Sequence, residues 1–536
     1  MNRSLAVALS REAAERAIHK TLAQFKIQIE HPDACLKEAA QRAEHPGFDD
    51  TTLAQWQDHA FVTIDNPDSR DLDQALLIER NENNGYRVRY ALADAAFYVP
   101  PGSALFDEAL KRGVTYYTPL LAAPMLPTSL SEDLVSLNPK KLRRALVFDM
   151  ALQQDATVSS VSVVRALIVS QAKLSYASVQ AFLDAGASGQ THEYDENTWA
   201  ASLTLLEELG EKLIQQALDR DVIPFNRREA QIELSDTGLT LSHRNRVRTE
   251  KYNEQISLLC NMQGAEILAG LSQDNDDLQA IFRAHDAPLT GRLNGLRALL
   301  SEFADSANLT DQWRWHKGQS LADYVTSLPD SDQHRGKVLA IERQILVCNQ
   351  ASEYRSEPGR HHALAASSYA RFSSPMREIV GIFTHKELLE AMQCTVSSYE
   401  VNEAKVQNDH SLRQSIIAIA NHSRQTQKQI NKRIEYIALC SVLGADLEMA
   451  SPPIRDGIIM GFKKDRIYIA IDSIATDLKV SASDLEEHHG TRYEFSNLKA
   501  VPVRQHAPHW LLGDAVKVST IGFDPEKNRF KLALFC

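Results

Sequence analysis

The sequence predicts an α+β protein, because strand-like and helix-like segments occupy separate blocks of the chain. Strand-like apolar runs are concentrated in residues 60–100 and 141–183. Long helical patterns follow at 195–219, 250–272, 336–350, 376–393 and 399–440. After the linker Ser451-Pro452-Pro453, short strand-like runs separated by turn residues return. This order predicts a mixed central domain and an all-β C-terminal domain.

The composition is that of an ordinary globular protein. Of 536 residues, 43% are hydrophobic and 24% are charged, which excludes a disordered, collagen-like or coiled-coil chain. The sequence has no run of about 18 apolar residues, as a transmembrane helix requires, and no apolar secretory signal near its N-terminus. The six cysteines are scattered without a CxxC pair. We therefore expect no zinc ribbon, no disulfide framework and a cytoplasmic location.

The charge balance limits how the protein could bind nucleic acid. The sequence has 58 Lys and Arg residues against 70 Asp and Glu residues, a formal net charge of −12. Proteins that coat nucleic acid with their whole surface are normally basic. Nucleic acid would therefore have to bind in a local channel, with the acidic residues elsewhere or holding metal.

Residues 1–55 form the first predicted unit, a small helical segment. We expect Ser10 to cap a helix that runs from Arg11 to Phe25, and Pro32 to open a second helix. Two short amphipathic helices fit a helix-turn-helix-like module, but such helices more often form an arm that packs against the rest of the protein.

Residues 56–445 form the second predicted unit, in which strands precede helices. The first strand-like runs lie at 61–64, 75–78 and 86–93, and Asn84-Gly85 between the last two predicts a hairpin turn. Residues 455–536 form the third unit, whose short strand-like runs and turn signals fit a small barrel of the OB type.

The most informative stretch runs from Thr63 to Leu76 and packs four aspartates into nine residues. Asp65, Asp71 and Asp73 could converge around one loop. Carboxylate oxygens at this density suit Mg²⁺ or Mn²⁺, because a divalent ion relieves the repulsion between like charges. The alternative is a solvated acidic loop in which Asp68 or Asp71 caps a turn.

The same stretch resembles the aspartate motif of the ribonuclease II (RNB) family, written TID…RDxDD, and later stretches resemble that family in the expected order. The clearest of these are Thr115-Tyr116-Tyr117, Ala172-Lys173-Leu174-Ser175-Tyr176, Phe282-Arg283-Ala284-His285-Asp286-Ala287-Pro288, and the run from Tyr369 to Arg377 that contains Ser373-Ser374-Pro375. The resemblance covers roughly residues 60–440. It implies an RNB catalytic domain of β-sheets with surrounding helices, followed by an OB-fold RNA-binding domain.

The resemblance also implies an activity, that of a hydrolytic 3′→5′ exoribonuclease. Such an enzyme degrades single-stranded RNA to nucleoside 5′-monophosphates and needs no obligate protein partner. The implied metal ligands are Asp65, Asp71, Asp73 and Gln74, with Mg²⁺ as the metal and Mn²⁺ as the alternative. The implied catalytic residues are Asp73, Asp71 and Arg377.

The implied RNA-binding residues are Tyr117, Tyr176, Phe225, Glu254 and Arg377. A flat aromatic ring stacks on any base, and a guanidinium can hold a phosphate through two hydrogen bonds. The alternatives are core aromatics, a helix-surface glutamate, and a surface ion pair of the arginine with a nearby acid, Glu378 or Glu387. In the OB-type barrel, we expect RNA to contact Phe462, Lys463, Lys464, Tyr468 and Lys517.

Two departures from the family pattern bear on the activity. Gln74 stands where the family has a fourth aspartate, so the metal site loses one negative charge. Glu378 stands where the family has a second arginine after Ser-Pro-x. These departures motivate a second hypothesis, an RNB-fold RNA-binding protein with weak or no catalysis. A third hypothesis is a metal-dependent phosphodiesterase that acts on short oligonucleotides or modified RNA ends.

Overall fold

The chain folds as an α+β protein, as the order of its apolar patterns predicts. The computed structural model describes residues 10–225, 229–236, 238–275, 277–394, 408–504 and 506–536. The helices are α1 (Arg11–Gln24), α2 (Asp33–Glu44), α3 (Ala95–Tyr98), α4 (Ala104–Arg112), α5 (Tyr176–Ala187), α6 (Ala200–Asp219), α7 (Arg248–Asp274), α8 (Thr290–Ser306), α9 (Leu321–Ser327), α10 (Arg335–Cys348), α11 (Ile379–Ala391), α12 (Asp409–Glu448) and α13 (Ala482–His489). None of the helices in these ranges is both long enough and apolar enough to cross a membrane.

The strands fall into a large N-terminal sheet, several small ribbons and a C-terminal barrel. They are β1 (Ala54–Trp56), β2 (Val62–Asp65), β3 (Gln74–Arg80), β4 (Tyr86–Ala93), β5 (Tyr116–Tyr117), β6 (Ala122–Ala123), β7 (Leu142–Leu152), β8 (Val158–Val169), β9 (Ala172–Ser175), β10 (Glu229–Ser235), β11 (Gly238–Arg244), β12 (Phe282–Ala284), β13 (Glu353–Arg355), β14 (Ile454–Lys463), β15 (Arg466–Ile471), β16 (Ile474–Ser481), β17 (Tyr493–Phe495), β18 (Lys499–Pro502), β19 (Trp510–Leu511), β20 (Ala515–Asp524) and β21 (Arg529–Phe535).

The large sheet has the order β1-β8-β7-β4-β3-β2-β9. The outer pairs β1–β8 and β2–β9 are parallel, and the remaining pairs are antiparallel. The predicted hairpin turn joins β3 to β4, and its Asn84 has a φ of 58°. A Cβ at Gly85 would lie 2.2 Å from the Leu152 carbonyl oxygen, so this turn requires glycine.

Both faces of this sheet are buried, and this burial fixes the register of its strands. Leu76 and Ile78 of β3 pack with α6 and α7. The alternating residues Ala75 and Leu77 pack against α3, α4 and α11. Because successive side chains of a strand point to opposite faces, a slip by one residue would exchange the two sets.

The two N-terminal helices pack onto the body of the protein. The Ser10 side chain accepts a hydrogen bond from the backbone N–H of Ala13 and caps α1. Ala14, Ile18 and Leu22 of α1 lie in a core that α12 and β11 share. Helix α2 packs beside α4 and buries Cys35. This packing is that of an arm.

The C-terminal strands form an antiparallel sheet of order β16-β15-β14-β20-β21 with α13 after β16, which is the strand arrangement of an OB-type barrel. Lys463, Lys464 and Lys517 are exposed. The expectation that Phe462 is exposed is wrong, because this side chain is buried in the barrel core. A register shift between Ile459 and Gly461 in the β14–β15 pair changes the alternation and turns Phe462 inward.

Candidate active site

Three aspartates of the acidic stretch lie at one edge of the large sheet. Asp65 is the last residue of β2, and Asp71 and Asp73 lie in the loop that leads into β3. The Lys173 ammonium of the neighbouring β9 donates hydrogen bonds to two carbonyl oxygens of this loop, those of Pro67 at 2.9 Å and Ser69 at 2.5 Å. The aspartates are therefore presented by a loop that the adjacent strand holds in place.

A second anchor fixes the loop immediately before Asp73. The Ser136 hydroxyl donates to the Arg70 carbonyl at 2.8 Å and accepts from the Leu72 N–H at 3.0 Å. Ser136 and Leu72 are fully buried. These bonds set the direction in which the Asp71 and Asp73 side chains leave the loop.

Asp73 is buried and pairs with Arg377, which lies 304 residues further along the chain. Its Oδ1 accepts from the Met376 backbone N–H at 2.9 Å, and its Oδ2 accepts from Arg377 Nε at 2.5 Å. Asp71 Oδ2 lies 4.0 Å from the same Nε and accepts from the Tyr117 hydroxyl at 3.0 Å. The structure thus brings the predicted Asp71, Asp73, Tyr117 and Arg377 together.

The electrostatics of this cluster indicate an excess of negative charge. The pKa of Asp65 is raised to about 7, chiefly by burial and also by the charges of Asp73 and Asp71, against the opposing effect of Arg377. Burial likewise raises the pKa of Asp73 to about 6. Three carboxylates interact with two cations, Arg377 and Lys173, so one negative charge is uncompensated and the donor set fits a divalent cation, which would restore the balance of charge.

A tighter group of acidic side chains occurs elsewhere, but an ammonium fills it. Within the described residues, the group whose ligand oxygens all lie within 4.8 Å of one another consists of Glu387, Glu390 and Asp409. Lys386 Nζ donates to each of them, at 2.9, 2.7 and 3.0 Å. This group is a partly buried ion-pair network at the junction of α11 and α12.

Gln74, the fourth predicted ligand, is hydrogen-bonded at both ends of its amide. Its Nε2 donates to the Ser373 carbonyl oxygen, and its Oε1 accepts from the Tyr90 hydroxyl. The side chain therefore connects β3 and β4 to the segment that carries Arg377. A lone pair of Oε1 remains for a further partner.

The segment from Tyr369 to Arg377 is positioned by Asn261, a fully buried residue of α7. Asn261 Nδ2 donates to the Tyr369 hydroxyl at 3.0 Å and to Ser373 Oγ at 2.9 Å. Its Oδ1 accepts from the backbone N–H of Phe372 and of Ser373. All the hydrogen-bonding capacity of one amide side chain is thus used to hold this segment against α7.

The acid that follows Arg377 does not pair with it. Glu378 accepts from Arg371 Nε at 2.9 Å and from the Tyr354 hydroxyl at 2.6 Å. Although burial opposes ionisation, Arg371 lowers the pKa of Glu378 to about 2. Glu387, the other acid considered as a partner of Arg377, pairs with Lys386. The guanidinium of Arg377 therefore faces the aspartates.

The remaining predicted RNA-binding residues line two adjoining cavities beside the aspartates. The smaller, of about 210 Å³, is lined by Gln74, Tyr176 and Arg371. The larger, of about 1380 Å³, is lined by Phe225 and Trp315 among other residues. Arg246 and Glu254 line both cavities and form an ion pair with an N–O distance of 3.0 Å.

The aromatic side chains lie on different sides of the site. Tyr176, the first residue of α5, accepts a hydrogen bond from Asn253 Nδ2 at 3.4 Å. Tyr117 is 44% exposed, and its backbone N–H and C=O are both paired with the side chain of Gln427. Two aromatic rings are thus held near the carboxylates by partners distant in sequence, Tyr117 by Gln427 and Tyr176 by Asn253.

Sequence reasoning missed the residues that position the site. Lys173, Ser136 and Asn261 make the hydrogen bonds that fix its two loops, and Lys173 lies in one of the stretches that carry the family resemblance. For Ser136 and Asn261, which are fully buried, the available signal was a polar residue within an apolar pattern.

Fold and site together define a class: a mixed sheet whose edge carries clustered carboxylates facing an arginine, with an OB-type barrel at the C-terminus. Residues 54–394 match the model of the RNB domain. The chain belongs to the RNB domain family.

The relatives agree with this assignment. The chain is 25% identical over 486 residues to Ribonuclease R of Escherichia coli, an alignment that covers 89% of this chain and 57% of that protein. It thus spans somewhat more than half of that relative's length. Mycoplasma genitalium RNase R in complex with ribose-methylated single-stranded RNA has the same fold, with a TM-score of 0.80, 20% identity and coverage of 97% of this chain and 77% of that chain.

A further solved structure has the same fold and a different description. Yeast Ssd1, a pseudonuclease, matches with a TM-score of 0.63 and 15% identity, over 88% of this chain and 54% of that chain. The fold is therefore shared by proteins described as nucleases and by a pseudonuclease. The site's own chemistry has to decide between these functions.

Proposed function

We propose that the chain is a metal-dependent 3′→5′ exoribonuclease that hydrolyses single-stranded RNA and releases nucleoside 5′-monophosphates. The observation that carries this proposal is the convergence of Asp65, Asp71 and Asp73 on Arg377, beside a cavity lined by Tyr176. Three acidic side chains and one guanidinium match the needs of phosphodiester hydrolysis, in which charge develops on the phosphate and on the leaving oxygen.

The metal would be held by Asp65, Asp71 and Asp73, with Gln74 Oε1 as an uncharged fourth donor. We propose Mg²⁺, with Mn²⁺ as the alternative, because the donors are hard oxygen atoms. When bound, a divalent ion supplies Lewis acidity, which activates the attacking water and offsets charge on the leaving 3′ oxygen. Burial raises the pKa of Asp65 to about 7, and the neighbouring charges of Asp73 and Asp71 act in the same direction; a bound cation would relieve both effects.

Arg377 would bind the scissile phosphate and stabilise the charge that develops on it. Its Nε is fixed by Asp73 at 2.5 Å, so the guanidinium is oriented before RNA arrives. Asp73 would thus contribute both to the metal site and to the orientation of Arg377, which makes it the most sensitive of the catalytic residues that we propose.

Aromatic stacking would hold the RNA without reading its sequence. Tyr176 in the smaller cavity would stack on the 3′-terminal base, and Phe225 in the larger cavity would contact RNA that enters. Glu254 would accept a hydrogen bond from a ribose hydroxyl, after release from its ion pair with Arg246. We place this activity in the cytoplasm, where the six cysteines, which are all free thiols, would remain reduced.

The test is to incubate the purified protein with a 5′-labelled single-stranded RNA in Mg²⁺, in Mn²⁺ and in EDTA. We expect a metal-dependent ladder that shortens from the 3′ end, with release of 5′-monophosphates. Asp73→Asn should abolish hydrolysis, whereas Asp68→Asn, an exposed position of the same loop, should not. Intact RNA that still shifts on a native gel would instead support the second hypothesis, an RNA-binding protein without catalysis.

A further inference from the structure

Arg371 is a second arginine beside the candidate active site, and neither the family motif nor the sequence comparison assigns it a role. Its side chain is about one quarter exposed, at 25%. It lines the smaller cavity together with Gln74 and Tyr176. A cation in the wall of a cavity that would hold RNA is placed to meet a phosphate.

The guanidinium groups of Arg371 and Arg377 are bound to the same serine. Arg371 Nη2 donates to Ser374 Oγ at 3.1 Å, and Arg377 Nη2 donates to the same oxygen at 3.4 Å. The two cations therefore lie within two hydrogen-bond lengths of each other. Like charges at this separation repel, and an anion between them would remove that repulsion.

Each arginine is anchored on one side by an acid. Arg371 Nε donates to Glu378 at 2.9 Å, and Arg377 Nε donates to Asp73 at 2.5 Å. In the part of the chain that the structure describes, the hydrogen bonds of both side chains use Nε and Nη2, so Nη1 of each remains available for a ligand. A guanidinium group that is held through Nε and Nη2, with Nη1 left for a ligand, is pre-organised to bind a phosphate.

Glu378 interacts with further positive charges besides that of Arg371. The charge of Arg283 also acts on this acid. Arg283 Nη2 and Arg424 Nη2 both donate to the Ser352 hydroxyl, at 3.1 and 3.2 Å. In the described residues neither of these two arginines forms a carboxylate ion pair within 4.0 Å. The region behind Glu378 is therefore positive, which favours an anion near Arg371.

We propose that Arg371 is a second phosphate-binding residue, which acts beside Arg377 across the shared Ser374 hydroxyl and holds a phosphodiester of the RNA in the cavity. Glu378 is then a positioning residue, which fixes Arg371 in the cavity wall. The assignment rests on the proposed function, since it takes RNA to be the ligand of this cavity.

The test uses the full chain and fluorescent single-stranded RNA in EDTA, so that binding is measured without hydrolysis. The double variant Arg371→Gln with Glu378→Gln removes the buried pair together and leaves the net charge unchanged, so neither charge remains buried alone. Its control, Arg16→Gln with Glu12→Gln, removes one positive and one negative charge from exposed positions of α1. Circular dichroism and thermal unfolding would verify that each variant is folded.

We expect the double variant to bind RNA at least about tenfold more weakly, because charge-assisted hydrogen bonds to phosphate are lost. The slope of log affinity against log salt should fall by about 0.7, the value for one phosphate contact on a single strand. Arg371→Lys should retain that slope but lose much of the affinity, because lysine keeps the charge and loses the fork. The α1 control should leave both quantities unchanged.

Three results would overturn the assignment, and they can be told apart. If the wild type binds or hydrolyses RNA and the folded double variant keeps its affinity and salt slope, Arg371 is only the structural partner of Glu378. Full affinity in Arg371→Lys would overturn the forked phosphate contact, because a positive charge alone would then be sufficient at this position. If the wild type neither binds nor hydrolyses RNA, the proposed function itself fails, and this assignment fails with it.

Discussion

Asn261 and Ser373 exchange two hydrogen bonds in the interior of the protein. Asn261 Nδ2 donates to Ser373 Oγ at 2.9 Å, and the Ser373 backbone N–H donates to Asn261 Oδ1 at 3.1 Å. The carbonyl of the same serine accepts from Gln74. Ser373 thus connects helix α7 to strand β3, and the arginine that faces the aspartates lies four residues later.

Asn261→Ala should destabilise the fold and reduce the proposed hydrolysis. It leaves the backbone N–H of Phe372 and Ser373 buried without acceptors, which costs about 3 kcal/mol in the free energy of unfolding. Denaturant unfolding and single-turnover cleavage would measure both effects. Glu266→Ala, at an exposed position of the same helix, is the matched control. Normal activity in Asn261→Ala would mean that this residue does not position the site.

Gln74→Asp should lower the Mg²⁺ concentration needed for half-maximal hydrolysis, because it adds a fourth negative charge to the metal site. It should also lower the melting temperature, since the shorter carboxylate cannot donate to the Ser373 carbonyl. A metal titration and a thermal melt give the two values. An unchanged metal requirement would indicate that position 74 does not contact the metal.

Tyr176→Ala should weaken RNA binding by roughly 1–3 kcal/mol, the contribution of one base stacked on an aromatic ring. Tyr176→Phe should remain close to the wild type, because it keeps the ring and loses only the hydrogen bond from Asn253. Affinities for a short RNA, measured by fluorescence anisotropy in EDTA, would compare them. Equal losses in the two variants would assign the effect to the hydroxyl group.

Two buried histidines should each contribute a fall in the free energy of unfolding as the pH is lowered from about 7 to about 4, against the opposite contribution of Asp65 and Asp73, whose pKa values are raised. Burial lowers the pKa of both His361 and His385 to about 4, from an ordinary value of 6.5. Between these values each of the two histidines binds more protons in the unfolded chain than in the folded chain, so through them acid favours unfolding. His385→Gln, which keeps a donor for the Phe372 carbonyl, should flatten this dependence.

His19→Gln, an exposed histidine of α1, provides the control for that experiment. It should leave the pH dependence of stability as in the wild type, because this side chain is exposed and lies outside the buried core. Urea titrations at several pH values would measure the slopes. A slope unchanged by His385→Gln would contradict the buried, neutral state of that histidine.

Local signals predicted many elements, because each rests on a few adjacent residues. The Ser10 cap, the Asn84-Gly85 turn and the break before β14 are of this kind. The pattern also overlooked local signals: α5 starts directly after β9, where Ser175 and Ser178 form a capping box. The helical pattern at 399–440 corresponds to α12, which runs from Asp409 to Glu448, and residues 399–407 lie outside the described residues.

The residues of the candidate site could be predicted from the sequence, but the contacts between them could not. The aspartates and Arg377 carry a motif, so residue type and spacing identify them. That Asp73 anchors Arg377 depends on a contact between positions 304 residues apart, which no local pattern contains. The pairing of Glu378 with Arg371 could not be predicted for the same reason, because only the fold brings these two residues together with Tyr354.

The apolar core that α10 and α12 share with the barrel has a consequence for how such proteins can be recombined. Ile341 and Ile345 of α10 lie in one core with Ile459 and Leu478 of the barrel, and Arg455 of β14 forms two hydrogen bonds with Asp446 of α12. If the chain were divided at the Ser451-Pro452-Pro453 linker, both halves of this apolar core would be exposed to water. An exchange of C-terminal barrels between relatives would therefore have to include these two helices. The segment that can be exchanged as a unit is larger than the barrel.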